Sequence, residues 1–390
     1  MTALTLSNDQ KMALTQLISW HKNNNKKHFV TLGGYAGTGK STLIAVLRQA
    51  LNELNPKLRV GFISFTGKAT RVLRQKLDAQ NALFKQDSVS TIHSLIYAPI
   101  LNDNEDIVGW EKKEKISKDL LILDEASMVD KYIWQHILEY KIPIIAVGDH
   151  GQLPPIGDAF NLMSNPQIIL HEIHRQALNN PIIGLSLQAR EHGFIRAAKY
   201  SDVIKKYSFS DSDSYIEMED LLESYTSDTL FLCGFNKTRR RLNQSIRLKI
   251  GIESALPIVG DRVICLRNNH KKKIFNGMLG TIMNIFNTND SCISCEIKMD
   301  NEEGMYEGDI AIKQFTSETP LNFKNDRKAT LGFDLFDFGY ALTVHKAQGS
   351  QARKVILFEE RFPKMTDDDW RRWLYTGITR AEEELVLFGA

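Results

Sequence analysis

Residues 33–42 read GGYAGTGKST, set between the apolar run HFVTL and the text LIAVLRQAL. Gly34, Gly39, Lys40 and Ser41 satisfy the pattern G-x-x-x-x-G-K-[ST], with Ala36, Gly37 and Thr38 inside the loop and Thr42 just after it. Apolar packing gains nothing from such a stretch, but a phosphate does. Glycines let the backbone wrap so that its N–H groups face an anion at the start of a helix. Lys40 adds a cation that reaches the outer phosphates of a nucleoside triphosphate, and the Ser41 hydroxyl adds a ligand for Mg²⁺.

Two further stretches complete this chemistry. In LLILDEAS a hydrophobic strand delivers Asp124 and Glu125 at its C-terminal end, the edge at which open α/β sheets bind ligands. Asp124 would hold Mg²⁺ through its waters, and Glu125 would orient and deprotonate an attacking water. A switch or a kinase does not need the adjacent Glu, so the pair favours ATP hydrolysis. A third apolar strand, IIAVGD, ends in the turn HGQLPP and places Gln152 where it can sense a γ-phosphate.

Those residues need a parallel sheet to bring them together, and the chain supplies one. HFVTL, VGFISF, DLLILDE and IPIIAVGD are short, β-branched-rich runs, with helix-spaced apolar text between them. That alternation predicts a doubly wound α/β domain. The polar stretch from Ala98 to Asp119 interrupts it as a small hairpin insertion or a plain surface loop. A second α/β pattern starts near Ile168, breaks from about Ser254 to Ala329 into short strands with Gly and Asn turns, and returns at FDFGYALTVHKAQG. The simplest organisation is a β module inserted into a second α/β domain.

At 390 residues the chain has ample material for such domains, and its net charge of +2 leaves any nucleic-acid surface to local clustering. Lys237 to Lys249 holds six basic residues and no acid, RVICLRNNHKKK is a second basic run, and Asp211 to Asp228 holds seven acids and no Lys or Arg. Each run reads as a solvated face, or, for the basic ones, as a contact to phosphate backbone. No apolar run approaches the roughly 20 residues that span a bilayer, and the N-terminus lacks a signal-peptide pattern. Cys292 and Cys295 have the spacing of half a zinc site, but no second pair lies nearby, so they read as strand residues.

GGYAGTGKST, LDEAS, GDHGQLPP, LHEIHRQ, ALTVHKAQGSQ and YTGITRA occur in the order and spacing of superfamily 1 helicases. The chain resembles the RecD-like branch (SF1B) that includes the phage Dda type. The resemblance implies two RecA-like P-loop NTPase domains, a short hairpin insertion in the first and a small SH3-like β module inserted in the second. Residues 1–166 would form the first domain with a pin-like insertion at about 98–118, residues 167–253 and 330–390 the second, and 254–329 the module. It implies that Gln10 contacts the adenine and that Arg175 and Arg380 act on the γ-phosphate as arginine fingers. Phe65, Thr66, Lys68, Thr91 and His93 of the first domain, with Thr343, Val344, His345 and Lys346 of the second, would grip single-stranded DNA. Trp110 would be the wedge of the pin, or else an anchor of the hairpin to its own domain.

The expected activity is ATP- and Mg²⁺-dependent unwinding of forked DNA with 5′→3′ translocation on a single strand. An RNA-directed helicase, or a non-catalytic nucleotide-gated loading factor, is the alternative. Expected partners are single-stranded and forked DNA, and a single-stranded-DNA-binding protein or replisome and recombination proteins. The expected setting is a monomer in the bacterial or phage-infected host cytoplasm, associated with the nucleoid and not with a membrane.

Overall fold

The computed structural model describes residues 6–23, 28–101, 107–155, 160–173, 180–269, 271–272, 274–300, 302, 304–317, 321, 330 and 332–390, with backbone alone at 101 and 107–109. The chain divides into two units, residues 1–190 and 191–390.

The first unit begins with α1 (Asn8–Lys22), whose start is fixed by a capping box between Ser7 and Gln10. It continues through β1 (Phe29–Gly34), α2 (Lys40–Leu54), β2 (Val60–Ser64), α3 (Gly67–Ala79), β3 (Ser88–Thr91) and α4 (Ile92–Ile96). A two-stranded antiparallel hairpin of β4 (Tyr97–Leu101) and β5 (Ile107–Lys112) follows. Next come β6 (Leu120–Asp124), α5 (Lys131–Leu138), β7 (Ile144–Gly148), β8 (Ile168–Leu170) and α6 (Pro181–His192), the last crossing the unit boundary.

The main sheet of this unit has the order β3-β2-β6-β7-β1-β8, and its pairings are parallel. Neighbouring strand residues alternate between its two faces. Phe62, Ile122 and Ile145 join one buried cluster with Leu43, Leu47 and Leu77 of the helices. Ile63, Leu123 and Ile144 join the other with Trp134 and Ile137. Burying each such side chain stabilises the fold by about 1.5–3 kcal/mol. Arg48 of α2 makes a bidentate pair with Asp87, both side chains fully buried. Asp87 also accepts from Val60 N and Phe84 N, so this pair fastens α2 to the far edge of the sheet.

The second unit contains β9 (Ala198–Lys199), β10 (Ile204–Ser208), α7 (Ser212–Glu223), β11 (Thr229–Cys233) and α8 (Asn236–Lys249). An antiparallel stretch follows: β12 (Arg262–Cys265), β13 (Leu279–Thr288), β14 (Cys292–Met299), β15 (Met305–Ala311), the short α9 (Ile312–Thr316) and β16 (Phe336–Phe338). The unit ends with β17 (Ala341–Thr343), β18 (Ala352–Phe358), α10 (Asp367–Ile378) and β19 (Ala381–Gly389). Its α/β sheet has the order β17-β11-β18-β19-β10-β9, and the module sheet the order β15-β14-β13-β12-β16. Cys292 and Cys295 lie buried in β14, as strand residues.

Of the two readings of the stretch 98–118, a hairpin or a plain loop, the structure has the hairpin. Two other sequence expectations change. Ile168–Leu170, read as opening the second domain, instead pairs in parallel with Leu32–Gly34 of the first sheet. The module does not stop at 329, because Phe336–Phe338 pairs with β12 as its edge strand. Both displaced strands are three residues long, too short to carry a period that would assign them to a sheet.

Candidate nucleotide and nucleic-acid site

Strand register assembles the chemistry at one edge of the first sheet. Gly33 of β1 lies opposite Gly148 of β7, Leu123 of β6 opposite Ala146 of β7, and Ser64 of β2 opposite both Asp124 and Thr91. The loop after β1, the acids at the end of β6 and the turn after β7 therefore emerge side by side. Contact confirms it: the Tyr35 and His150 rings sit 4.3 Å apart.

The loop holding Ala36, Gly37, Thr38 and Gly39 turns through two left-handed backbone positions, Gly37 at φ 81° and Gly39 at φ 73°. Such angles are readily open only to glycine. Gly39 caps α2 without a side-chain bond, which leaves the first-turn N–H groups of Lys40, Ser41 and Thr42 facing the loop. Lys40 Nζ donates to the carbonyls of Gly34 at 2.7 Å and Tyr35 at 2.9 Å. The cation is thus stored against the loop it serves. Thr38 is buried and closes the turn by donating its hydroxyl to Tyr35 O.

Gln10 is also fully buried. Its side-chain amide donates to Thr38 O at 3.1 Å and Gly39 O at 3.4 Å, and its carbonyl oxygen accepts from Ser7 N. In this structure Gln10 braces the phosphate loop against α1.

Asp124 ends β6 and Glu125 follows it directly. Glu125 has φ 53°, left-handed for a non-glycine residue, a strained position of the kind found at functional sites. Its N–H donates to Asp124 Oδ1 at 3.0 Å. Burial pushes the Asp124 carboxyl above its ordinary value, against the Glu125 N–H and the charges of Lys40 and Lys76. Gln152 is buried, with its amide 3.4 Å from Asp149 Oδ2, and Asp149 Oδ1 accepts from Gly151 N. The Ser41 hydroxyl and the Asp124 carboxylate are hard oxygen donors suited to Mg²⁺. An ammonium, that of Lys76, lies 3.3 Å from Ser41 Oγ and donates to it.

Sequence reasoning missed Lys76, and it missed Asp9. The Asp9 carboxylate accepts the N–H groups of His171 and Glu172, each at 2.8 Å, and the Ser7 hydroxyl. Partial burial opposes ionisation, yet these hydrogen bonds hold the carboxyl below its ordinary value. Asp9 thereby anchors the segment leading to Arg175, which itself lies outside the described residues. No local signal in the sequence announced a partner 162 positions away.

Phe65, Thr66 and Lys68 follow β2, Thr91 ends β3 and His93 follows it, at the same sheet edge. Thr66 and Thr91 are spent as helix caps, accepting from Ala69 N and Ser94 N. Phe65 and His93 meet edge to face with ring centroids 6.3 Å apart, and His93 lies 5.7 Å from Tyr97, the first residue of the hairpin. Burial lowers the His93 pKa, despite Asp130. Trp110 stands on β5 opposite Pro99 and is 41% exposed.

In the second unit, Thr343 ends β17 and its hydroxyl accepts from Lys346 N at 3.4 Å. Val344 is buried, and burial lowers the pKa of the half-buried His345. Lys346 Nζ reaches Asn276 Oδ1 of the β module at 3.4 Å. Arg380, 5% exposed, follows α10, and its guanidinium donates to Thr376 O, Ser350 O and Thr379 Oγ1.

Residues 5–205 match the family model described as an AAA domain, and residues 338–388 match the UvrD-like helicase C-terminal domain. The chain is 27% identical over 416 aligned residues to the ATP-dependent RecD2 DNA helicase of Deinococcus radiodurans, covering 99% of this chain and 49% of that protein. It is 28% identical over 287 residues to the ATP-dependent DNA helicase dda of Enterobacteria phage T4, covering 68% of this chain and 62% of that protein. The chain therefore spans about half the length of the RecD2 relative. A crystal structure of Bacteroides Pif1 bound to single-stranded DNA shares the fold, with TM-score 0.53 at 18% identity over 98% of this chain and 92% of that one.

Proposed function

As the chain belongs to the AAA-domain family and within it to the superfamily 1B helicases of the RecD-like and Dda-like type, we propose that it hydrolyses ATP to move along single-stranded DNA and unwind forked duplex DNA. The observation carrying this reading is the sheet register that sets the Gly34–Thr42 loop, Asp124–Glu125 and Gln152 at one edge, with Phe65, Thr66 and Thr91 beside them.

Lys40 exchanges its two loop carbonyls for the β- and γ-phosphate oxygens, while the N–H groups of the loop and of the first turn of α2 receive the β-phosphate. Ser41 and Asp124 hold Mg²⁺, which when bound neutralises phosphate charge. Glu125 orients a water and takes its proton as the water oxygen bonds to the γ-phosphorus and the bridging oxygen leaves with ADP. Gln152 senses the γ-phosphate, Arg175 and Arg380 supply guanidinium charge to the transition state, and Gln10 meets the adenine only on releasing the Thr38 and Gly39 carbonyls that it holds in this structure. Phe65, Lys68 and His93, with Thr343, His345 and Lys346, hold the strand, Thr66 and Thr91 shape its path as helix caps, and Trp110 divides the duplex. Stacking on such rings contributes roughly 1–3 kcal/mol per base. The β module, read as SH3-like, flanks the strand, and translocation runs 5′→3′.

The test is unwinding of DNA and RNA duplexes carrying only a 5′ or only a 3′ tail, with and without ATP, by the parent chain and by Lys40→Ala. ATP-dependent opening of 5′-tailed DNA, absent in Lys40→Ala, is expected. Opening of 3′-tailed substrates alone would reverse the polarity. A preference for RNA would move the activity to that class, and no nucleic-acid-stimulated ATP turnover would leave a binding factor.

A further inference from the structure

Lys76 belongs to no motif, yet its side chain ends at the Ser41 hydroxyl, one of the oxygens assigned to the metal. Its Nζ donates to Ser41 Oγ at 3.3 Å. The two lysines are held differently. Lys40 is tied to the Gly34 and Tyr35 carbonyls, whereas Lys76 is an exposed residue of α3. The helix itself is fixed, because Leu73 and Leu77 on either side of Lys76 are 1% and 0% exposed in the core. The backbone is therefore rigid, while the flexible four-carbon stem of the lysine is able to swing away.

We propose that Lys76 is an exchangeable counter-cation of the nucleotide site, which occupies the Ser41 hydroxyl and offsets the charge of bound phosphates when Mg²⁺ is scarce and withdraws when Mg²⁺ enters. The proposal rests on the reading of Ser41 and Asp124 as the metal ligands. A hydroxyl lone pair engaged by Mg²⁺ is no longer open to an ammonium, and a divalent ion beside a lysine charge repels it strongly in a partly desolvated site. Lys76 thus raises the Mg²⁺ concentration needed to load the site, and it keeps some affinity for nucleotide in the absence of metal.

The test is equilibrium binding of a fluorescent ADP analogue to the full chain across a Mg²⁺ series that includes excess EDTA. The parent is compared with Lys76→Met, which keeps the stem and removes the charge, and with Lys76→Arg, which keeps the charge. Lys76→Met is expected to lower the half-saturating Mg²⁺ by about threefold or more and to weaken metal-free binding by a similar factor, after allowance for screening at an exposed site. Lys76→Arg is expected to stay near the parent in both. Should the parent bind the analogue equally with and without Mg²⁺, the metal assignment itself fails. A Mg²⁺-dependent parent with a Lys76→Met titration that coincides with it, or moves to higher Mg²⁺, overturns the counter-cation while leaving that assignment in place.

Discussion

Replacing Glu125 separates its chemistry from its conformation. The residue sits at φ 53° directly after β6, where a side chain bearing a Cβ costs about 1–2 kcal/mol through its clash with the following carbonyl. Glycine escapes that cost but loses about 0.4–1 kcal/mol by freeing the unfolded chain. Glu125→Ala keeps the strain and Glu125→Gly relieves it, so the Gly variant is expected to be more stable than the Ala variant by roughly 0.5–1 kcal/mol. For a unit the size of residues 1–190, that is a rise in Tm of about 1–4 °C. Glu125→Gln, Glu125→Ala and Glu125→Gly are all expected to bind nucleotide and to lose turnover by about 10²–10⁴-fold, the usual contribution of a positioned base. Differential scanning calorimetry and steady-state ATPase assays read the two effects independently. A Gly variant that melts at or below the Ala variant refutes the strain, and near-parental hydrolysis by Glu125→Gln refutes the base.

Three other outcomes follow from the geometry. Arg48→Met leaves the Asp87 carboxylate buried with only its backbone donors, a change expected to cost about 3–5 kcal/mol and to be read as a drop of about 6–20 °C in Tm. Trp110→Ala is expected to reduce strand separation while sparing single-strand-stimulated ATPase; equal loss of both would return Trp110 to a structural role. Burial depresses the folded-state pKa of His21, His93 and His345 below the ordinary 6.5. Their contribution is therefore present above about pH 6.5 and lost as pH falls towards their folded values, by at most about 1.4 kcal/mol per pH unit for each. Melting temperatures from pH 7.5 to 5.5 test this, and His93→Gln is expected to flatten the slope.

What was legible in the sequence was local. The phosphate loop, the acids at the end of β6 and the turn holding Gln152 each occupy one strand end and the text after it, and strand–helix alternation fixed their sheet edge. The β module announced itself through alternating residues such as Cys292–Met299 and the turns between them. What escaped is held by partners distant in sequence: Lys76 meets Ser41 across 35 positions and Asp9 meets His171 across 162. Glu125 escaped for another reason, since nothing in the residue type announces a left-handed backbone. The grip of Gln10 on the Thr38 and Gly39 carbonyls was not legible either, because a side-chain amide gives no hint of which backbone it will meet.

Only Gly339 and Tyr340 separate the last strand of the β module from β17, the strand that delivers Thr343. A methyl group at Gly339 would come within 2.8 Å of the Val263 backbone. The buried Tyr340 donates its hydroxyl to Asp261, a carboxylate already clasped by Arg247, while Asn243 pins the Tyr340 and Ala341 N–H groups. The junction thus behaves as a welded strut rather than a hinge. Any tug on the loop from Thr343 to Lys346 is transmitted to the module without slack, and a load borne by the module returns to the loop as directly.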